Sequence, residues 1–134
     1  MNCLNKLFTI DTFFLNEDRH MHNIAVLMDG EGEFAYCPIF DNGAGLLADT
    51  LMDYPLGKDV YQLMKESHSK TICDDYDEQL DISEAISGEQ IKFHFTKEDV
   101  RNLLKNVTEY SETEKDRVET IIFMQKAKYK YLFK

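Results

Sequence analysis

The sequence predicts a mainly α-helical α+β domain with one β-hairpin near its start. Three observations lead there. Apolar residues recur at helical spacing at both ends of the chain, in 3–16 and again in 97–132. Two short apolar runs, Ile24-Ala25-Val26-Leu27-Met28 and Phe34-Ala35-Tyr36-Cys37, flank the turn-forming Asp29-Gly30-Glu31-Gly32. Helix-start patterns stand at Thr96-Lys97-Glu98-Asp99 and at Ser111-Glu112-Thr113-Glu114.

Leu4, Leu7, Phe8, Phe14 and Leu15, widened by Ile10 and Phe13, predict a mostly buried helix over 3–16. A polar loop follows from Asn16 to Asn23, then the hairpin. Pro38 cannot donate to a strand ladder, so the pairing should end or bulge near it. Asp29-Gly30-Glu31-Gly32-Glu33 lacks the spaced ligands of a calcium-binding loop and reads as a plain turn. Asp41-Asn42-Gly43-Ala44-Gly45 is a second turn. Leu46, Leu47, Leu51 and Met52 predict a short helix ended by Tyr54-Pro55, and Val60, Leu63 and Met64 predict another. The acidic stretch within 66–80 reads as a solvated loop, and 82–86 as one or two helical turns before Gly88. Val100, Leu103, Leu104 and Val107 form the cleanest amphipathic stripe, and Val118, Ile121, Ile122, Tyr129 and Leu132 continue one face towards the C-terminus.

The 134 residues fit one domain, 1–134, and 43% hydrophobic with 30% charged residues is ordinary globular composition. A formal charge of −10 would be repelled by a phosphate backbone, so direct nucleic-acid binding is not expected. Lys126, Lys128, Lys130 and Lys134 suit the negative end of a terminal helix. Cys3, Cys37 and Cys73 are odd in number and far apart, which fits neither a zinc knuckle nor a disulfide framework. With no leader-like pattern and no apolar run near the roughly 18 residues that span a bilayer, the expected setting is the cytoplasm, away from membranes.

The chemistry-bearing pattern is Asp18, Asn23 and Asp41. Asp18 and Asn23 stand five apart in Asp18-Arg19-His20-Met21-His22-Asn23, the spacing at which protein kinases carry a catalytic Asp and a metal-binding Asn. Asp41-Asn42-Gly43 matches D-F-G at its first and third positions. Phosphoryl transfer needs the nucleophile held in line and the phosphate charge neutralised. A carboxylate can accept the hydroxyl proton, while a second carboxylate and an amide oxygen offer the hard ligands that magnesium prefers. Asn23 precedes the first strand and Asp41 follows the second, so a hairpin should bring them to one mouth. Each fragment alone is a weak signal, since D-N-G is an ordinary turn; the ordered combination is the specific one. His20 and His22 are read as loop histidines bonded to backbone, with a metal pair as the alternative.

The run Asn16-Glu17-Asp18-Arg19-His20-Met21-His22-Asn23, followed by Pro38-Ile39-Phe40-Asp41-Asn42-Gly43, resembles the C-terminal lobe of HipA-like serine/threonine kinases, whose fold is related to phosphoinositide kinases. Asp74-Asp75-Tyr76-Asp77-Glu78-Gln79-Leu80 is similar to family sequence downstream of the metal loop. The resemblance spans roughly residues 4–107 and is specific in the first 45. It implies a kinase-like C-lobe whose hairpin carries the metal site, with Asp18 as catalytic base, Asn23 and Asp41 as magnesium ligands, and Arg19 and His20 shaping the loop. It implies magnesium and ATP as cofactor and substrate, a protein serine or threonine as acceptor, and an antitoxin as partner, because family members are often toxins of toxin–antitoxin pairs.

The sequence departs from a whole kinase. It has no G-x-G-x-x-G, no lysine in a strand-three setting, and Pro55-Leu56-Gly57-Lys58-Asp59 lacks the first glycine and the Ser/Thr of a Walker A loop. The chain is therefore read as a C-lobe without its N-lobe, incomplete alone and requiring a protein that supplies the other lobe. Two alternatives stand beside it: a non-catalytic interaction module derived from a kinase lobe, and a small-molecule phosphotransferase.

Overall fold

A computed structural model describes residues 3–134. It is mixed α+β and mainly helical, with a two-stranded antiparallel hairpin. In order come α1 (Cys3–Phe13), a 3-10 turn (Met21–Asn23), β1 (Val26–Met28), β2 (Phe34–Tyr36), α2 (Val60–Glu66), α3 (Tyr76–Ser87), α4 (Lys97–Lys105), α5 (Glu112–Lys128) and a 3-10 turn (Lys130–Leu132).

α1 is buried on most sides, polar residues included: Asn5, Thr9, Asp11 and Thr12 are almost wholly enclosed. Each therefore needs a partner. Asn5 Nδ2 donates to Gly88 O at 2.9 Å, tying the start of α1 to the end of α3. The helix stops three residues short of the 3–16 expected, because Leu15 turns left-handed at φ 54°. Its last carbonyls are then satisfied one by one. Asn16 N donates to Asp11 O at 2.8 Å, Leu46 N to Phe14 O at 2.7 Å, and the buried Gln125 Nε2 of α5 to Thr12 O and Phe13 O at 3.1 and 3.0 Å.

α5 divides the core. Ile122 packs into a cluster with Phe13, Leu80, Val100, Leu104, Tyr129 and Leu132, while its neighbour Ile121 faces Leu15, Leu47, Tyr54, Leu63 and Tyr76. The expected N-cap at Thr96 and the expected capping box at Ser111 are both present, and Thr96 with Asp99 also forms a capping box, as Ser111 does with Glu114. The chain beyond α5 returns so that Phe93, in a weakly alternating stretch of sequence, bridges Phe133 in parallel.

Two expectations are corrected. Residues 46–52 are not helical: Leu46 and Leu47 adopt φ 56° and 54°, Leu47 is buried, and Leu51 and Met52 lie exposed on irregular turns. The apolar spacing suited a helix, but only Leu47 is fully buried, with Leu46 partly buried against both core clusters. The acidic run is not a loop throughout. Asp75 caps α3, its carboxylate accepting from Glu78 N at 2.9 Å, and Asp77 and Glu78 occupy the first turn, where the helix dipole favours negative charge. The helical turns expected at 82–86 belong to the same helix.

The hairpin pairs Val26 with Tyr36, Leu27 with Ala35 and Met28 with Phe34, and Cys37 N adds a bond to Ala25 O at 3.2 Å before Pro38 ends the ladder. Its turn is organised by Asp29, whose Oδ1 accepts from Glu31 N and Glu33 N at 2.8 and 3.0 Å, with Gly32 at φ 84°. Both faces of both strands are exposed. Among the described residues, no helix is long and apolar enough to cross a membrane.

Candidate functional site

The loop 16–23 is built around one side chain, Arg19, which has no exposed surface. Its guanidinium meets the carboxylate of Asp11 at two points, Nε to Oδ2 at 2.9 Å and Nη2 to Oδ1 at 3.1 Å. Such a charge cannot stay buried without a counter-charge in good geometry. Asn16 Nδ2 donates to the same carboxylate at 2.9 Å, so the polar end of α1 is closed.

The rest of Arg19 spans the mouth of the hairpin. Nη1 donates to Asn23 O at 3.1 Å, just before β1, and to Phe40 O at 2.5 Å, just after β2. Nη2 donates to Asn42 Oδ1 at 2.5 Å. One buried cation thus holds the backbone entering the ribbon beside the backbone leaving it. From the other side, Thr71 Oγ1 donates to Arg19 O at 2.6 Å and His68 N to Glu17 Oε1 at 2.9 Å, so the segment before α3 braces the loop.

Asp18 lies exposed on this loop. Asn23 is buried, and its Nδ2 donates to Asp18 O at 2.8 Å, which leaves the amide oxygen as its outward acceptor. Asp41 is exposed and sits at φ 55°, a left-handed conformation that Asp tolerates better than most residues. Among the described residues, neither the Asp18 nor the Asp41 carboxylate is engaged in a hydrogen bond or ion pair. The backbones of 18, 23 and 40 and the side chain of Asn42 are therefore joined through Arg19 and Asn23, with two uncommitted carboxylates and an amide oxygen carried on that frame. These are hard-oxygen donors of the kind magnesium takes, so Asp41 and Asn23 could hold the ion and Asp18 could take a proton. Bound there, magnesium would supply charge neutralisation for a phosphate group. Among the described residues, no group of three or more His, Cys, Asp or Glu side chains is placed to hold a metal ion.

His20 is exposed and its Nδ1 accepts from His22 N at 3.2 Å, the backbone-bonded role expected of a loop histidine. Gly57-Lys58 lies in a turn in which Lys58 N donates to Pro55 O at 3.2 Å, and Asp59 uses its carboxylate to cap α2 on Tyr61 N at 3.1 Å.

Sequence reasoning missed Asp11, Glu17, Asn42 and Thr71 as members of this frame. Only Asp11 left a signal: a carboxylate on a helix expected to be mostly buried needs a buried cation. Comparison with protein-family models, with curated proteins and with solved structures found no match for the chain.

Proposed function

We propose that this chain is the catalytic and magnesium-binding lobe of a HipA-like kinase, transferring phosphate from ATP to a protein serine or threonine when a second lobe completes the nucleotide site. Asp18 acts as the base, Asn23 and Asp41 as magnesium ligands. The observation that carries the reading is Arg19 bonding both Asn23 O and Phe40 O through one nitrogen. That contact supports the reading, since it ties Asn23 to the residue before Asp41 and would set the two proposed ligands at one mouth. Arg19 is also neutralised by Asp11, so it does not oppose a cation placed beside it.

The test is calorimetric titration of ATP, with and without magnesium, into the chain alone and mixed with a protein encoded beside it. Magnesium-dependent binding that disappears in Asp41→Ala, with the helical signal unchanged, supports the reading. Absence of binding in every mixture and no effect of Asp41→Ala contradicts it.

A second reading, a non-catalytic interaction module, is favoured by the hairpin itself. Val26, Leu27, Met28, Phe34 and Tyr36 are all more than half exposed, an apolar ribbon of the kind proteins cover with a partner. Such a module would be indifferent to magnesium and to Asn23→Ala.

A further inference from the structure

Asn42 and Gly43 form the one Asn-Gly pair in the chain, directly after Asp41. Glycine has no Cβ to obstruct its own amide nitrogen, so in this dipeptide the backbone nitrogen reaches the preceding side-chain carbonyl most readily. Both residues are exposed. Among the described residues, nothing accepts a hydrogen bond from Gly43 N, and a Cβ built on Gly43 would meet no atom within 4 Å. The nitrogen is therefore uncommitted and has room to move.

The carbonyl it would attack is held and polarised. Asn42 Oδ1 accepts from Arg19 Nη2 at 2.5 Å. A guanidinium has only donors, so the amide oxygen must be the atom that faces it. Arg19 is fully enclosed and anchored by Asp11, so the positive charge beside Oδ1 is in place before any reaction. A donor fixed in this way stabilises negative charge that develops on a carbonyl oxygen. Among the described residues, no other pair combines these features. Asn16 and Asn23 are buried and precede Glu17 and Ile24. Asp29-Gly30 has no amine to expel, and its carboxylate is occupied by Glu31 N and Glu33 N.

We propose that Asn42 is a self-deamidation site whose ring closure is assisted by Arg19. Gly43 N gives its proton to water and attacks Cγ of Asn42, and the electron pair displaced onto Oδ1 lies against the guanidinium. The bond from Cγ to Nδ2 then breaks, Nδ2 takes up a proton and leaves as ammonia, and a succinimide remains. Water opens the ring. Cleavage at Cγ gives aspartate, and cleavage at the main-chain carbonyl carbon gives isoaspartate, with the chain now running through Cγ. The sum is asparagine plus water to aspartate plus ammonia. Either product adds a negative charge beside Asp41. Aspartate keeps an oxygen on Arg19 in a charge-assisted bond, whereas isoaspartate lengthens the main chain between Asp41 and Gly43. The reaction does not depend on the kinase reading.

The test is peptide mapping by mass spectrometry on the full chain, incubated folded at neutral pH and, in parallel, unfolded in guanidinium chloride. Circular dichroism checks the fold before and after. The expected result is conversion at Asn42 ahead of every other asparagine, with an oxygen atom taken up from heavy-oxygen water. It should run about tenfold faster in the folded chain than in the unfolded one, the effect of one charged donor on the developing oxyanion. Gly43→Ala, whose Cβ has open space, should slow it about tenfold or more and leave the fold unchanged. Conversion no faster in the folded chain than in the unfolded one overturns the inference, because Arg19 then gives no assistance. Conversion spread over other asparagines, or left unaltered by Gly43→Ala, overturns it as well.

Discussion

Asp11 and Arg19 form a two-point ion pair with almost no solvent exposure, at 2.9 and 3.1 Å, and the same guanidinium bridges Asn23 O and Phe40 O. The pair therefore couples the stability of α1 to the geometry of the hairpin mouth. Removing one partner is far worse than removing both. Asp11→Ala should cost about 3–5 kcal/mol, because it strands a buried guanidinium. Arg19→Met combined with Asp11→Leu should cost clearly less than the sum of the single changes. Urea denaturation of the three variants measures both figures. Arg19→Lys should also fail to restore the mouth, since an ammonium cannot make the two-point contact.

Gln125 stands in for backbone at the end of α1, bonding Thr12 O and Phe13 O from a nearly enclosed position. Gln125→Leu keeps the volume and removes both donors. It should destabilise the chain by about 1–3 kcal/mol, the cost of leaving buried carbonyls unsatisfied. A thermal melt with the intact helical signal at low temperature checks it.

Gly45 packs so closely that a Cβ there would sit 3.0 Å from Phe14 O, the carbonyl that accepts from Leu46 N. Gly45→Ala should therefore push the turn off α1 and cost about 1–3 kcal/mol, as overpacking does. The change would be read as a lower urea midpoint with an unchanged slope.

Acid should weaken the fold through three carboxylates. Burial alone would raise Asp77, but hydrogen bonds from Lys128 and Tyr129 and the Lys128 charge outweigh it and hold the group below its usual range. Backbone and hydroxyl bonds from Thr96 and Ser111 lower Asp99 and Glu114 likewise. A folded pKa below the unfolded one gives stability that is present above about pH 4 and lost as pH falls through the folded value. The urea midpoint should thus drop below about pH 4, and drop less steeply in Asp99→Asn combined with Glu114→Gln.

What the sequence made legible was local. Thr96 and Ser111 announce their helices through residues three positions away, and the hairpin is written in two short apolar runs around Asp29-Gly30. The start of α3 was also written locally, as Asp75 followed by Glu78, but the surrounding acidic charge masked it. The left-handed Leu46 and Leu47 were not legible, because burial against Tyr54 and Ile121 from distant segments decides their backbone. For the site, the positions 18, 23 and 41 were readable as a spacing. The frame beneath them was not, because it joins α1, the loop, the strand exit and Thr71 through hydrogen bonds that leave no periodic trace.

Asp41 holds a left-handed backbone that glycine adopts without a steric penalty. Asp41→Gly should then be neutral or stabilising by up to about 1 kcal/mol, while deleting a proposed ligand. A position that gains stability as it loses metal affinity would mark strain kept for function, and one denaturation series beside one metal titration decides it.

The most direct measurement is paramagnetic broadening of backbone amide signals by manganese, a magnetic stand-in for magnesium, on the chain by itself. Selective broadening around Asp18, Asn23 and Asp41–Gly43, abolished by Asp41→Ala and by Asn23→Ala in folded protein, is the outcome the kinase-lobe proposal requires. Broadening centred elsewhere on this acidic surface, or unaltered by both substitutions, would contradict it.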